Sequence, residues 1–133
     1  MPIYMFLRRE SQTPEPAWLT TQLQLNDPGA IVSHNGLTGA DPVCTAALEM
    51  FAGAYGHEAG NLALKVMAVG GVFIGGGIAP RILSVLQKGG FLRAFTNKGR
   101  FRALLESIEV KVVLNTRAPL LGAAHYAIEL DRS

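Results

Sequence analysis

Apolar residues recur every three or four positions through the middle of the chain, over residues 43–67. This spacing places them on one face of an α-helix, and so predicts a long amphipathic helix. Asp41 and Pro42 stand immediately before the apolar positions. An aspartate cap followed by proline in the first turn is a typical helix start, which fixes where this helix begins.

The same predicted helix is rich in small residues. They are Ala52, Gly53, Gly56, Ala59, Gly60 and Ala63. Each glycine inside a helix costs about 1 kcal/mol relative to alanine, so their repeated use needs a reason. Close approach by another backbone segment is the simplest one, because a residue without a side chain leaves room for it.

The first forty residues carry weaker patterns, which prolines and glycines divide. They predict short helices over residues 3–10 and 18–25, separated by a proline-containing linker at 11–16. A turn at 26–29 leads into a brief helical stretch around Ile31 and Val32, which the glycines of 36–39 interrupt. We therefore divide the chain into leading helices and a linker, residues 1–40, and a long helix with an αβ region, residues 41–133.

Two short apolar runs in the second half, residues 71–75 and 110–114, are typical of fully buried strands. The patterns around them predict helices over 79–88 and 91–96, a basic turn at 97–102, a short helix ending at Glu106 and a terminal helix over 119–129. Two buried strands joined by a helical crossover predict a parallel pair with a right-handed connection. The predicted class is a mostly helical α/β fold.

A sheet of two strands is not stable by itself, and it leaves a strand edge without a hydrogen-bonding neighbour. We therefore expect this chain either to associate with itself or to pair with a further part of the protein. The unpaired edge also indicates that the chain is a fragment.

Three consecutive glycines, Gly75, Gly76 and Gly77, join the first predicted strand to the helix that follows. Glycine lets the backbone bend sharply and lets a flat ligand lie against the main chain. The free N–H groups of the helix, which Pro80 opens, suit phosphate or ribose oxygens. Tight packing of helix on strand is an equally common reason for such a turn. The spacing fits neither G-x-G-x-x-G nor a P-loop.

Residues 70–81 resemble the adenosine motif of the bacterial-type glucokinases, within the sugar kinase/hexokinase/actin-like ATPase superfamily. Other segments that resemble this family follow in the same order along the chain. They are residues 3–9, 60–64, 90–101 and 118–124. This resemblance implies that residues 1–133 are the C-terminal part of the glucokinase large domain. The expected fold is therefore a partial ribonuclease-H-like (actin-like ATPase) domain.

The resemblance also implies a function, namely ATP-dependent phosphorylation of glucose to glucose 6-phosphate, with Gly75, Gly76, Gly77 and Ile78 binding the adenosine. The family's Asp-x-Gly-Gly-Thr phosphate loop, its Asn-Asp catalytic pair and its Glu-Gly-Gly-His sugar segment do not occur in this sequence. The Mg²⁺ ligands, the catalytic base and the glucose site are therefore expected outside this chain, in a missing N-terminal half. The alternative is a non-catalytic truncated lobe that serves as an interaction or assembly module.

Composition and charge limit the classes of protein to which this chain can belong. The 133 residues are 49% hydrophobic and fit one folded domain, and no apolar run approaches the roughly 20 residues of a membrane span. The N-terminus lacks the pattern of a signal peptide, so a cytoplasmic protein is expected. The net charge is +2, but residues 59–105 hold no acidic residue and seven basic ones: Lys65, Arg81, Lys88, Arg93, Lys98, Arg100 and Arg102.

This basic segment would attract ATP phosphates or an acidic neighbouring lobe, or it forms a solvated face whose counter-charges lie elsewhere. No recognised nucleic-acid module occurs, so nucleic acid is not an expected partner.

The cysteine and the histidines do not form a pattern typical of a catalytic or metal-binding site. Cys44 is the single cysteine, which excludes an internal disulfide, and its apolar setting predicts a buried hydrophobe rather than a nucleophile. His34, His57 and His125 are far apart, with no neighbouring ligands at metal-site spacing. We expect His57 and Glu58 to be exposed and His125 to be packed in the terminal helix.

One further group of polar residues lies at a position where open α/β sheets usually bind ligands. Asn115, Thr116 and Arg117 follow the second predicted strand directly. They are secondary candidates for lining a nucleotide pocket.

Overall fold

The computed structural model describes residues 1–131 and is mostly helical. Its elements in chain order are α1 (Pro2–Glu10), α2 (Ala17–Leu25), α3 (Pro28–Thr38), α4 (Pro42–Lys65), β1 (Val72–Ile74), α5 (Ile78–Arg81), α6 (Leu83–Gln87), α7 (Gly90–Thr96), a 3₁₀ helix (Gly99–Phe101), α8 (Arg102–Glu106), β2 (Val110–Val112) and α9 (Ala118–Asp131). Within residues 1–131, the length and hydropathy needed to cross a bilayer do not occur together in any helix.

Helix α4 begins as its sequence predicts. The Asp41 side chain accepts a hydrogen bond from the Cys44 N–H at 2.8 Å, and Pro42 occupies the first turn. The cap satisfies one of the N–H groups that a helix start leaves without an intrahelical partner. The prediction of a long helix after Asp41 is confirmed.

Helix α3 differs from its prediction. It runs for 11 residues to Thr38, whereas only a brief stretch is predicted, and Gly39 caps its end with a φ of +72° in the left-handed region. Gly36 lies inside this helix and does not interrupt it. The reason is close packing: a Cβ at Gly36 would come within 2.7 Å of the Cys44 carbonyl oxygen, so α3 can rest on α4 only with glycine there.

Close packing also explains two glycines of α4. A Cβ at Gly56 would overlap the backbone carbonyl of Phe91, and one at Gly60 would overlap that of Phe95. Both carbonyls belong to α7, so the glycines let this helix lie directly on α4. The expectation that small residues admit another backbone is confirmed at these two positions.

The two strands form a parallel pair, as predicted, in the register Val72↔Val110 and Ile74↔Val112. Each strand is shorter than its apolar run, three residues instead of five. The prediction of full burial is wrong for both strands. In β1, Ile74 is buried while Phe73 is 67% exposed, and in β2 the two valines are half-buried and Lys111 is exposed. One face of β1 therefore packs on the core, and the other is open among the residues that the structure describes.

The crossover helix predicted over 79–88 is interrupted. Helix α5 ends at Arg81 and α6 begins at Leu83, with Ile82 between them at φ −106° and ψ +18°. Ile82 is only 2% exposed, so the break coincides with the turning of this side chain into the core.

The core has two parts that meet along α4. One lies between the sheet, α4 from Leu48 onward and helices α5 to α8: Leu48, Ala52, Ala63, Ile74, Ala79, Ile82, Val85, Leu86, Phe91, Phe95, Leu105 and Ile108. The other joins α1, α2 and α3 to the start of α4: Tyr4, Leu19, Val32, Val43, Cys44 and Ala47. Helix α9 contributes to neither part. Its His125 is 76% exposed beside Glu129, so the expectation of a packed histidine is wrong.

Candidate functional site

The glycine turn connects the carboxyl end of β1 to α5. Gly76 has a φ of +98°, in the left-handed region that favours glycine, and Gly77 returns to φ −85° as the residue before the helix. Ala79 is buried and anchors α5 beneath the turn, whereas Ile78 is 59% exposed. The turn is therefore held by its flanking elements and presents its own backbone to the outside.

Open space above the turn distinguishes its glycines from the two packed glycines of α4, Gly56 and Gly60. A Cβ built at Gly75, Gly76 or Gly77 meets no atom within 4 Å. Packing thus explains Gly56 and Gly60 but does not require glycine at any of these three positions. Conformation requires it only at Gly76. The result is an open stretch of main chain that can accept a flat group against it.

A groove of about 390 Å³ runs between α4 and β1 and reaches the turn at Gly75. Its walls are mainly apolar and include Tyr55, Leu62, Val66 and Phe73. Such a lining suits an aromatic or aliphatic group rather than a charged one.

The secondary candidates lie at the same edge of the sheet. The Val113 N–H donates to the Ile74 carbonyl at 2.9 Å, so the chain segments after the two strands leave side by side. Asn115 is occupied with its own turn, since its Oδ1 accepts the Arg117 N–H at 2.9 Å. Asn115, Thr116 and Arg117 are exposed, and no hydrogen bond of the described residues joins them to the glycine turn. The structure places them near that edge without bringing them into the turn.

Helix α5 is shorter than the predicted crossover helix, which changes the electrostatics of the turn. Four residues, Ile78–Arg81, make about one helical turn. A helix this short has little macrodipole to offer a phosphate group. The expectation that a helix N-terminus binds phosphate here loses its basis, and the turn itself remains as the candidate site.

The basic segment is partly counter-charged. Lys88 lies 3.9 Å from Glu49, and Arg102 pairs with Glu106 at 2.8 Å. Lys98 donates to the His57 carbonyl at 2.9 Å and to Asn61 Oδ1 at 2.6 Å, which fastens the loop after α7 to α4. Burial lowers the pKa of Lys98. These three cations thus have partners within the chain. This agrees with the alternative in which the basic segment is a solvated face whose counter-charges lie elsewhere in the chain.

A buried polar network at the start of α4 was missed by the sequence reasoning. Arg8 Nη2 donates to Asp41 Oδ1 at 2.7 Å, and the Tyr4 hydroxyl donates to Glu15 Oε2 at 2.6 Å. Burial, with the Glu15 hydrogen bond, raises the pKa of Tyr4. The cap at Asp41 could be seen in the sequence, but its partner lies 33 residues upstream and no local pattern marks it.

Other candidates give no site among the described residues. Burial raises the pKa of Cys44 to about 12, so the thiol stays protonated, and the prediction of a buried hydrophobe is confirmed. His57 and Glu58 are exposed, as expected. Within residues 1–131, no three His, Cys, Asp or Glu side chains lie close enough together to hold a metal ion.

The chain was compared with known proteins. The glucokinase family model matches residues 1–130. Among curated relatives, the glucokinase of Synechocystis is 43% identical over 92% of this chain and 38% of its own length. The glucokinase of Nostoc punctiforme is 42% identical over 96% of this chain and 41% of its own length.

A solved structure agrees with these relatives. The crystal structure of a glucokinase from an Antarctic psychrotroph has a TM-score of 0.75 and 34% identity, covering 92% of this chain and 35% of that one. The chain thus spans about two fifths of the length of the curated relatives that it matches. With nearly all of its residues matched by the family model, the chain belongs to the glucokinase family.

Proposed function

We propose that this chain forms the adenosine-binding part of a glucokinase, an enzyme that transfers the γ-phosphoryl group of ATP to the 6-hydroxyl of glucose. The observation that carries the proposal is the open glycine turn at the carboxyl end of β1. Its three glycines have free space above them, so no packing within residues 1–131 accounts for all three. Family membership then supports an adenine nucleotide as the group that fills this space.

Each residue of the turn has a part in the proposed site. Gly75, Gly76 and Gly77 form a flat platform of main chain against which the base and ribose lie, and Gly76 alone provides the left-handed bend. Ile78 is exposed beside the platform and covers one face of the base. The apolar groove beginning at Gly75 continues the surface toward Tyr55.

The rest of the reaction lies outside these residues. Phosphoryl transfer depends chiefly on positioning and on charge stabilisation by Mg²⁺ and cationic groups at the phosphates. No acidic cluster suited to Mg²⁺ occurs in the described part of the chain. We therefore place the Mg²⁺ ligands, the catalytic base and the glucose site in the remaining part of a glucokinase, with this chain as the C-terminal part of a ribonuclease-H-like domain in the cytoplasm.

Comparing ATP with adenosine by calorimetry tests the proposed site. If only the adenosine end of the nucleotide is held, the two ligands should bind this chain weakly and with similar affinity. A large preference for ATP would place the phosphates, not the adenosine, at the site and would overturn the assignment. In a coupled assay, we expect the purified chain alone to give no glucose-dependent turnover, and activity that survives repurification would contradict the proposed division of labour.

A second candidate function is a non-catalytic interaction module. The observation that favours it is the two-stranded sheet, in which β1 pairs only with β2 among residues 1–131. An edge strand of this kind can pair with another chain. Sedimentation at micromolar concentration distinguishes the candidates: concentration-dependent dimers without nucleotide binding favour the module, and a monomer that binds adenosine favours the enzyme part.

A further inference from the structure

A polar cavity of about 400 Å³ opens between α7, the loop that follows it and the start of α8. Its walls are formed by Gly90, Arg93, Ala94, Thr96, Asn97 and Arg102. The volume lies in the range of small-molecule sites. Because its lining includes two arginines and no acidic residue, the cavity is positively charged. It shares no residue with the glycine turn or with the groove that reaches this turn.

The Arg93 guanidinium lines this cavity without a partner. Among the residues that the structure describes, none accepts a hydrogen bond from this side chain or forms an ion pair with it. The guanidinium lies beside two glycines: its Nη1 is 3.2 Å from the position that a Cβ of Gly89 would occupy, and its Nη2 is 3.9 Å from that of Gly90. The missing side chains thus give the guanidinium its place, and its N–H donors remain available to an anionic ligand.

Arg102 adds a second guanidinium with unused donors. Its Nε donates to Glu106 Oε1 at 2.8 Å, whereas no hydrogen bond within residues 1–131 uses its Nη atoms. The carboxylate restricts the orientation of the guanidinium and leaves the outer nitrogens to a ligand. Two guanidinium groups on one cavity suit a phosphoryl group, because each planar fork can donate parallel hydrogen bonds to its oxygens.

Asn97 gives the cavity a polar group of a different kind. Its side-chain amide has both donors and an acceptor, and it makes no hydrogen bond in the described part of the chain. The neighbouring Thr96 hydroxyl already donates to the Leu92 carbonyl at 3.0 Å, so its oxygen is left to accept. These groups suit hydroxyls, which both donate and accept hydrogen bonds. The cavity therefore combines donors for a phosphate with partners for hydroxyl groups.

We propose that this cavity binds the phosphate monoester of a polyol, at a site separate from the glycine turn. Arg93 and Arg102 bind the phosphoryl group, and Asn97 binds hydroxyls of the polyol. A single phosphate ion fills only a small part of about 400 Å³, which favours the ester over the free ion. Both arginines are exposed, so we expect weak binding, with a dissociation constant of roughly 1 mM. None of these residues takes part in the proposed function.

An NMR titration of the backbone amides with sorbitol 6-phosphate tests the site. This ester is neither substrate nor product of the reaction proposed above. At constant ionic strength, we expect saturable shifts of the amides that line the cavity, and no such shifts with sorbitol, the neutral control. Inorganic phosphate should bind the same residues about threefold more weakly, because it lacks the hydroxyls. Shifts that do not saturate would overturn the site, and equal affinity for inorganic phosphate would overturn the assignment to an ester.

Two arginine variants distinguish the cavity from the general charge of the basic segment. Arg93→Gln should weaken the binding of sorbitol 6-phosphate about tenfold or more, because it removes charged hydrogen bonds. Arg100→Gln is the matched control, since it removes the same charge from an exposed arginine of the same segment that does not line the cavity. It should weaken binding by less than about twofold. Equal losses would mean that diffuse positive charge attracts the anion and would overturn the site.

Asn97→Ala separates the two halves of the proposed ligand. This variant should lower the affinity for sorbitol 6-phosphate and leave the affinity for inorganic phosphate unchanged, because only the ester carries hydroxyls. The same loss for both ligands, or no loss for either, would contradict the binding of the polyol by Asn97.

The outcome is separable from that of the proposed function. Adenosine has no phosphoryl group, so Arg93→Gln should leave its binding unchanged. ATP does carry phosphoryl groups, and the comparison of ATP with adenosine is therefore repeated in Arg93→Gln, where this cavity no longer contributes. Binding of sorbitol 6-phosphate without binding of adenosine would reject the nucleotide site alone. Binding of adenosine without binding of the ester would reject this cavity alone.

Discussion

Arg8 and Asp41 form an ion pair of 2.7 Å in which the side chains are only 11% and 3% exposed. The pair connects α1 to the first turn of α4, where the same carboxylate caps the helix by accepting the Cys44 N–H. One carboxylate thus fixes both the position of α1 and the start of the longest helix.

Removing the guanidinium should destabilise the chain strongly. Arg8→Ala leaves Asp41 buried without its charged partner, which typically costs about 3–5 kcal/mol of unfolding free energy. Urea denaturation, monitored by circular dichroism, measures this loss of unfolding free energy. Arg9→Ala is the matched control, because Arg9 and Glu10 form an exposed pair worth roughly 0–1 kcal/mol. Similar losses in the two variants would show that the buried pair is not what holds α1.

The Arg8–Asp41 pair also makes the stability of the chain depend on pH in the acidic range. Burial alone would raise the pKa of Asp41, but hydrogen bonds from Arg8 and from the Cys44 amide outweigh it and hold that pKa below the ordinary value of 3.8. A depressed folded-state pKa contributes stability above the unfolded-state pKa, and that stability disappears as the pH falls through the folded-state pKa.

We therefore expect the thermal midpoint of the wild-type chain to fall below about pH 4, where the unfolded chain begins to bind the proton. Asp41→Asn keeps a capping side chain but cannot titrate. The midpoint of this variant should be lower at neutral pH and should decline less on acidification. Parallel acid profiles for the two proteins would assign the decline to other carboxylates.

Two glycines of α4 should respond in opposite directions to the same substitution. Gly56→Ala places a methyl group against the Phe91 carbonyl, so α7 must move, and overpacking of this kind typically costs about 1–3 kcal/mol. Gly53→Ala meets no atom within 4 Å and should raise the unfolding free energy by about 0.4–1 kcal/mol through the unfolded state. Denaturation midpoints of the two variants test this difference in stability. A Gly56→Ala variant that is more stable than the wild type would mean that α7 does not rest on α4 at this position.

Local patterns predicted the helices with clear start signals and the parallel strand pair. Asp41 with Pro42 marked α4, because a cap and a first-turn proline act within a few residues. The error at Gly36 has a different cause. Glycine reads as a helix breaker in sequence, whereas here it permits contact with the Cys44 carbonyl, a tertiary effect that no local window contains.

The glycine turn could be recognised in the sequence because three adjacent glycines are rare. The sequence did not reveal why glycine occupies these positions. Only the structure separates the open Cβ positions of Gly75, Gly76 and Gly77 from the filled ones of Gly56 and Gly60. The burial of Phe73 was mispredicted for a related reason: an apolar run specifies a strand but not whether both of its faces are covered.

Filling the space above the turn should abolish adenosine binding without unfolding the chain. Gly75 and Gly70 flank β1 at opposite ends, neither lies in the left-handed region, and a Cβ at either meets no atom within 4 Å. Gly75→Val projects into the proposed site and should reduce adenosine affinity below detection by calorimetry. Gly70→Val is the matched control, with the same added volume and a backbone that also lies outside the left-handed region, and it should bind as the wild type does.

Two further variants separate occlusion from other causes of lost binding. Gly76→Val adds backbone strain of about 1–3 kcal/mol at φ +98°, so it should lose both adenosine binding and stability, whereas Gly75→Val should lose only binding. Arg100→Ala removes an exposed cation whose guanidinium lies 5.0 Å from the Phe101 ring centroid. It should alter the salt dependence of ATP binding and leave adenosine binding unchanged, because an exposed charge steers a charged ligand and does not hold a neutral one. Retained adenosine binding in Gly75→Val would move the nucleotide away from this turn, because the methyl groups and the ligand would occupy the same space.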